Sequence, residues 1–161
     1  MPGGCTVISH RVKQFLDDTR VEYEVLPHRE AFTAQGVAAT LHVSGWSVAK
    51  VVLLRDYDDG YVIAVVPASC HLDLGRLRRV ADRPRLVLAT EQEMTDLFPD
   101  CVAGTIPPFG ELYGVPVYVD TCFPHAKEVL FQAGNHREVV RMRYSTFESL
   151  AHPVVEDFCC R

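Results

Sequence analysis

No stretch of this chain approaches the run of about 18 apolar residues that a membrane span needs, and no apolar signal segment follows the opening MPGG. A cytoplasmic protein with no membrane partner is therefore expected. The six cysteines, Cys5, Cys70, Cys101, Cys122, Cys159 and Cys160, contain no CxxC pair. They are even in number, but not spaced as a disulfide framework, so reduced thiols are expected. Cys122 with His125, and His152 ahead of Cys159 and Cys160, come nearest to a zinc pattern. Neither offers three or four ligands at short paired spacings, and no metal is expected. HExxH, GxSxG, a Walker loop and a dinucleotide fingerprint are all missing, which removes the common metalloprotease, serine hydrolase, kinase and nicotinamide chemistries. No cofactor is expected. Internal repeats, low-complexity runs and interdomain linkers are missing too, so residues 1–161 read as one domain. Basic excess is also lacking. A net charge of −5 argues against a protein that coats long nucleic acid, DNA included, while leaving a local contact with one end of an RNA open.

What is present is an ordinary globular composition, 48% hydrophobic and 23% charged. Ser9 caps an expected helix carrying Val12, Phe15 and Leu16, and Val21–Leu26 alternates as a strand closed by Pro27. Thr33 caps a short helix through about His42. The strongest hairpin signal follows. Val48–Leu54 and Tyr61–Val66 are β-branched runs around Tyr57-Asp58-Asp59-Gly60, apolar at nearly every position and so expected to lie centrally in a sheet. Asp73 opens a helix with Leu74, Leu77 and Val80 inward; Leu86–Ala89 is a short strand. Thr90 with Glu93 forms a capping box. Strands are expected at Val115–Asp120 and Val139–Tyr144, with CFPHAKEVLF between them as a linker. Ser145 and Glu148 form a second capping box. Six or so strands intermixed with short helices give an α/β fold: a single mixed, largely antiparallel sheet or partly closed barrel with helices packed around it.

The stretch CVAGTIPPFGELYGVPVYVD, Cys101 to Asp120, least resembles packing material. Proline fixes φ and glycine permits close approach, so GTIPPFG should be a rigid loop with its backbone groups held in place, or a tight connection needing these residues only for shape. Lys50 stands out within the apolar SVAKVVLL. It lies either on the solvent face of an edge strand or in a cleft where desolvation and a partner set its state. Asp120 and His136 read equally as strand end and turn cap. Two basic groups, Arg76, Arg78, Arg79, Arg83 and Arg85, then Arg137, Arg141 and Arg143, are either solvated surface or phosphate-docking patches.

Taken in order, SVAKVVLL, the DDG hairpin, YVIAVVPAS, LDLGRLRR, LATEQEMTDLFPD, AGTIPPFG, GVPVYVD and FQAGNHREVVRM resemble the YbaK/EbsC and ProX-like family of free-standing aminoacyl-tRNA deacylases, related to the editing domain inserted in bacterial prolyl-tRNA synthetases. The resemblance runs from about Tyr23 to Leu150. It implies hydrolysis of the ester joining a wrong, small amino acid (alanine, serine or cysteine, for example on tRNA-Pro) to the terminal adenosine of a tRNA. The alternative is a non-catalytic module that binds tRNA 3′ ends or small nucleotides. Lys50 matches the family's key cleft lysine, and Gly104 and the Ile106, Pro107, Pro108, Phe109, Gly110 turn match the loop lining the pocket. Asp120 and His136 match polar positions near its mouth, with Gly134 ahead of the latter, while His28 and Thr33 fall on the opposite wall. Lys50, Gly104, Asp120 and His136 are thus the implied catalytic set, and Arg76, Arg78, Arg79 and Arg83 the candidate tRNA-docking group. The acceptor end of tRNA is the implied partner, with a synthetase as a further one.

Overall fold

The hairpin of β2 (Ala49–Asp56) and β3 (Gly60–Pro67) forms the centre of the fold. The computed structural model describes residues 8–57, 60–123 and 127–160. The expected Asp58-Asp59 turn, Cys5 and His125 lie outside them. Along β3 the side chains alternate between two cores. Ile63 and Val65 enter one, while Val62, Ala64 and Val66 enter the other. A strand of period two with apolar cover on both faces has this pattern, which is why its sequence is apolar throughout.

The remaining elements are α1 (His10–Thr19), β1 (Glu24–Pro27), α2 (Ala34–Leu41), β4 (His71–Leu72), α3 (Leu74–Val80), β5 (Leu86–Leu88), α4 (Glu91–Leu97), a 3-10 turn at Gly110–Tyr113, β6 (Val117–Asp120), β7 (Glu128–Gln132), β8 (Glu138–Arg143), α5 (Tyr144–Ala151), β9 (Val154–Glu156) and β10 (Cys159–Cys160). The architecture is mixed α/β, with short helices around sheets not closed into a barrel. Among the described residues the strands divide into a five-stranded sheet β5-β2-β3-β6-β9, a three-stranded sheet β1-β8-β7 and the β10-β4 ribbon, where a single sheet was expected. Pairing is antiparallel except for β3 with β6 and β6 with β9. The two larger sheets meet at a parallel bridge between Val48 and Leu130.

Capping explains most helix starts. Ser9, Thr33, Asp73 and Thr90 each accept a backbone N–H in the first turn, and Thr90 and Glu93 complete the reciprocal box. Ser145 does not cap. Helix α5 begins at Tyr144, two residues earlier than a Ser145 cap would give, with Arg143 as N-cap and no side-chain cap bond. The expected linker CFPHAKEVLF contains β7, whose Val129, Leu130 and Phe131 are buried. Its five residues carry only three apolar side chains in a row, too short a signal, because the run is buried on both faces instead of alternating. Among the described residues no helix is long and apolar enough to cross a membrane.

The proline-glycine stretch does not stay at the surface. From Thr105 to Gly110 every residue is buried, and Phe109 packs its ring on Phe15, Phe131 and Phe147. Its peptide bonds are all trans. A Cβ on Gly110 would collide with the Val115 carbonyl and come within 2.8 Å of Val117 Cγ2. Backbone cannot yield as a side-chain tip can, so Gly110→Ala should lower stability by about 3 kcal/mol. Urea denaturation checks this. Unchanged stability with lost substrate binding would instead make Gly110 a ligand contact.

Candidate functional site

The start of β2 lies where the two larger sheets approach each other. Strand β5 reaches only Leu54–Asp56 of β2, so the Lys50 end has no β5 partner on that side. Beside it is a cavity of about 370 Å³, lined by Phe32, Thr33, Ala34 and Gln35 from the start of α2, Ala49, Lys50 and Val51 from β2, Ala68 and His71 around β4, Gly104 and Ile106 from the loop, and Gln132 from β7. That volume lies at the lower end for small-molecule sites, which run from about 300 to 1,000 Å³. Lys50 is half-buried, and its amine has no ion pair or hydrogen bond among the described residues. Lys50 thus lines the cavity at the end of β2 that β5 does not reach.

The opposite wall is held by backbone. Val102 N donates to the Gly134 carbonyl at 2.9 Å and Gly134 N to the Thr105 carbonyl at 3.0 Å, which pins the 102–105 turn against the end of β7. Thr105 closes it by donating its hydroxyl to the Val102 carbonyl at 2.6 Å. Gly104 can occupy the tip because its φ of +87° favours glycine. The amides of Gly104 and Ile106 have no acceptor among the described residues.

His136 borders this tip. Its Cε1 would lie 3.8 Å from a Cβ on Gly104, and its ring contacts Phe32 at a centroid distance of 4.7 Å. Nδ1 donates to the Ala31 carbonyl at 3.2 Å, while Ala31 N donates back to the His136 carbonyl at 3.0 Å. Phe32 itself is 69% exposed, an uncommon position for a phenylalanine at a cavity mouth.

The structure therefore brings together Lys50, Thr33, Gly104 and Ile106, with His136 at the rim and Gly134 supporting the loop from behind. Others fall elsewhere. Pro107, Pro108, Phe109 and Gly110 turn into the core, and His28 donates Nδ1 to the Arg29 carbonyl, outside the cavity lining. Asp120 is fully buried at the end of β6. Its carboxylate accepts from the amides of Phe158, Cys159 and Cys122 at 2.8, 3.0 and 2.9 Å, so it is a structural acceptor outside the lining. A strand-ending aspartate facing solvent and one receiving a returning C-terminal strand look alike in sequence.

The arginine group is largely engaged within the chain. Arg83 pairs with the buried Asp56 at 3.1 Å, Arg78 donates to the Leu86 carbonyl at 2.9 Å, and Arg76 pairs with Asp157 at 3.3 Å. Arg79 is exposed. Cys101 is not a nucleophile candidate, since burial pushes its thiol up to about 12.

Sequence reasoning missed Gln132, His71, Gln35 and Phe32. Gln132 is the most informative. Its Nε2 is buried without a hydrogen-bond partner among the described residues, and the side chain lines the cavity. A buried amide left unpaired needs a reason, and a ligand is one. Only the fold, by placing β7 beside β2, makes it visible.

Fold and site together define a mixed α/β protein with one lysine-bearing, loop-walled pocket where two sheets meet. The chain belongs to the aminoacyl-tRNA editing domain family, which it matches over residues 28–150. Among solved structures it is similar to one described provisionally as a trans-editing enzyme for prolyl tRNA synthetase, with a TM-score of 0.82, 24% identity, and 95% of this chain and 97% of that one covered. It is also similar to a scaffold from computational epitope grafting (TM-score 0.83, 22% identity, 95% and 97% covered) and to a hypothetical protein (0.83, 19%, 94% and 100%). At these identities the likeness is one of fold. No curated protein matches the chain in sequence.

Proposed function

We propose that the chain hydrolyses the ester of a misacylated tRNA bearing a small amino acid, with the esterified 3′ end entering the Lys50 cavity. The observation that carries this reading is the unpaired Lys50 amine facing a pre-set loop across a cavity of small-molecule size. An ester carries a good leaving group, so orientation and stabilisation of the tetrahedral oxyanion suffice without a protein nucleophile. The Gly104 and Ile106 amides, fixed by the Gly134 pairing, suit the developing oxyanion, and Lys50 adds positive charge there or at the terminal phosphate. Water, or the thiol of a cysteinyl substrate, attacks the carbonyl carbon; the bond to the ribose oxygen then breaks and that oxygen takes up a proton.

Selectivity follows from the walls. Ala34, Ala49 and Ala68 leave room for a short side chain, and Ile106 caps its length. One methylene is discriminated by only about 1–3 kcal/mol, which is why a second, size-excluding site after an imperfect synthetase is useful. Phe32 at the mouth offers a stacking face for a splayed terminal base. Arg79 is the exposed member of the candidate docking group.

The experiment is a deacylation assay with Ala-, Ser-, Cys- and Pro-tRNA. Release of free amino acid from at least one of the small esters, faster than spontaneous hydrolysis, is expected. Tight tRNA binding with no release from any of them would replace the hydrolase by a binding module for tRNA 3′ ends.

A further inference from the structure

Cys70, Cys122 and Cys159 come from distant parts of the chain, yet their sulfurs all lie within 4.8 Å of one another. Cys70 precedes β4, Cys122 follows β6 by two residues, and Cys159 opens β10. Two features gather them. Strand β10 pairs with β4 through Cys159 opposite Leu72, and the Asp120 carboxylate draws the Phe158 and Cys159 amides onto the end of β6. Cys70 and Cys159 are buried and Cys122 half-buried, and none of the three is in a disulfide.

One buried cysteine is an ordinary small apolar residue. Three whose sulfurs converge are a ligand set. Two thiolates bound to one zinc ion at 2.3 Å in a tetrahedron stand about 3.8 Å apart, and the Cys122 and Cys159 sulfurs are already 3.8 Å apart. Asp120 Oδ2 lies 3.1 Å from Cys159 Sγ, from which it accepts the thiol hydrogen. Three converging sulfurs favour a thiophilic ion over magnesium or calcium, which require oxygen donors.

The geometry points to a zinc-binding site formed by Cys70, Cys122 and Cys159, clamping the C-terminal strand to β4 and to the end of β6. Three protein sulfurs leave the fourth tetrahedral position to a water, and none of the three lines the Lys50 cavity. The hydrated ion enters, all but one of its waters leave, and each thiol releases one proton to solvent; no oxidant is involved. The short-spacing patterns of zinc sites gave no warning of it, because the ligands are assembled by strand pairing.

Cobalt(II) serves as the probe, added to reduced, metal-free protein. Tetrahedral thiolate coordination gives visible ligand-field bands and a near-ultraviolet sulfur-to-cobalt band. Both should saturate at a single equivalent per chain and be displaced by zinc, with a rise in Tm. Cys122→Ser, a mild change at a half-buried position, should weaken binding by about 100-fold or more, since loss of an outer-shell partner alone gives 10–100-fold. Cys101→Ser, whose thiol lies outside the cluster, should bind as wild type. Absence of the sulfur-to-cobalt band in the wild-type chain, or its persistence undiminished in Cys122→Ser, would overturn the site.

Discussion

Replacing Lys50 with alanine should lower kcat/KM for deacylation by about 10²–10³-fold, the usual consequence of removing one preorganised group from a developing oxyanion. The fold should be indifferent to the change. Lys50 is half-buried, makes no side-chain bond among the described residues, and its neighbours Ala49 and Val51 carry the packing. A Tm close to wild type, measured alongside, separates lost chemistry from lost structure. The kinetic split assigns the charge. If Lys50 acts on the oxyanion, kcat falls with KM little changed; if it holds the terminal phosphate in ground state and transition state alike, KM rises and kcat stays. Lys50→Met keeps the alkyl stem without the charge and should match alanine in either case. Activity within about threefold of wild type for both variants would remove Lys50 from the mechanism.

How far the sequence discloses this molecule depends on whether a signal is local. Caps are local, and Ser9, Thr33, Asp73 and Thr90 all act as read, as does the central hairpin, whose two apolar runs are paired residue for residue from Ala49 with Pro67 to Asp56 with Gly60. Strands β4, β9 and β10 have two or three residues each and exist through partners elsewhere in the chain, so no local pattern announces them. The same distinction divides the site. Lys50 interrupts an apolar run and is conspicuous, and Gly104 belongs to a recognisable loop. Gln132 and His71 look like ordinary surface residues until β7 is set beside β2 and β4 beside β3. The GTIPPFG loop shows the converse error. Its composition marks it as special, but only Gly104 and Ile106 reach the cavity, while the prolines and Phe109 fill the core beneath.

The largest stability effect should come from Asp120, measured in chelator so that no metal contributes. Asp120→Ala leaves the amides of Phe158, Cys159 and Cys122 without their acceptor, at roughly 1–3 kcal/mol for each buried donor, so a total of about 3 kcal/mol or more is expected from chemical denaturation. Asp120→Asn retains one acceptor oxygen but turns an amide toward donors, and should fall between alanine and wild type. The pH dependence has a fixed sign. Burial pushes the Asp120 carboxyl up, but the Phe158 and Cys122 amides and the Cys159 thiol together push it down further, leaving it below the ordinary Asp value. An unfolded chain, with its aspartate near the ordinary value of about 4, then binds the proton more readily than the folded one. Asp120's contribution is therefore fully present above about pH 4–5 and is lost as pH falls through the folded pKa. Asp100 adds to the same slope: burial raises its carboxyl, while hydrogen bonds from the Ser9 and Tyr113 hydroxyls lower it more. Comparing wild type with Asp120→Asn between pH 6 and about pH 3 isolates the Asp120 share, because the asparagine does not titrate. Wild-type stability should drop more steeply across that window and the two curves converge at its acid end. Parallel curves would mean that the carboxylate is not held ionised by these donors, and that the C-terminal strand is secured by something else.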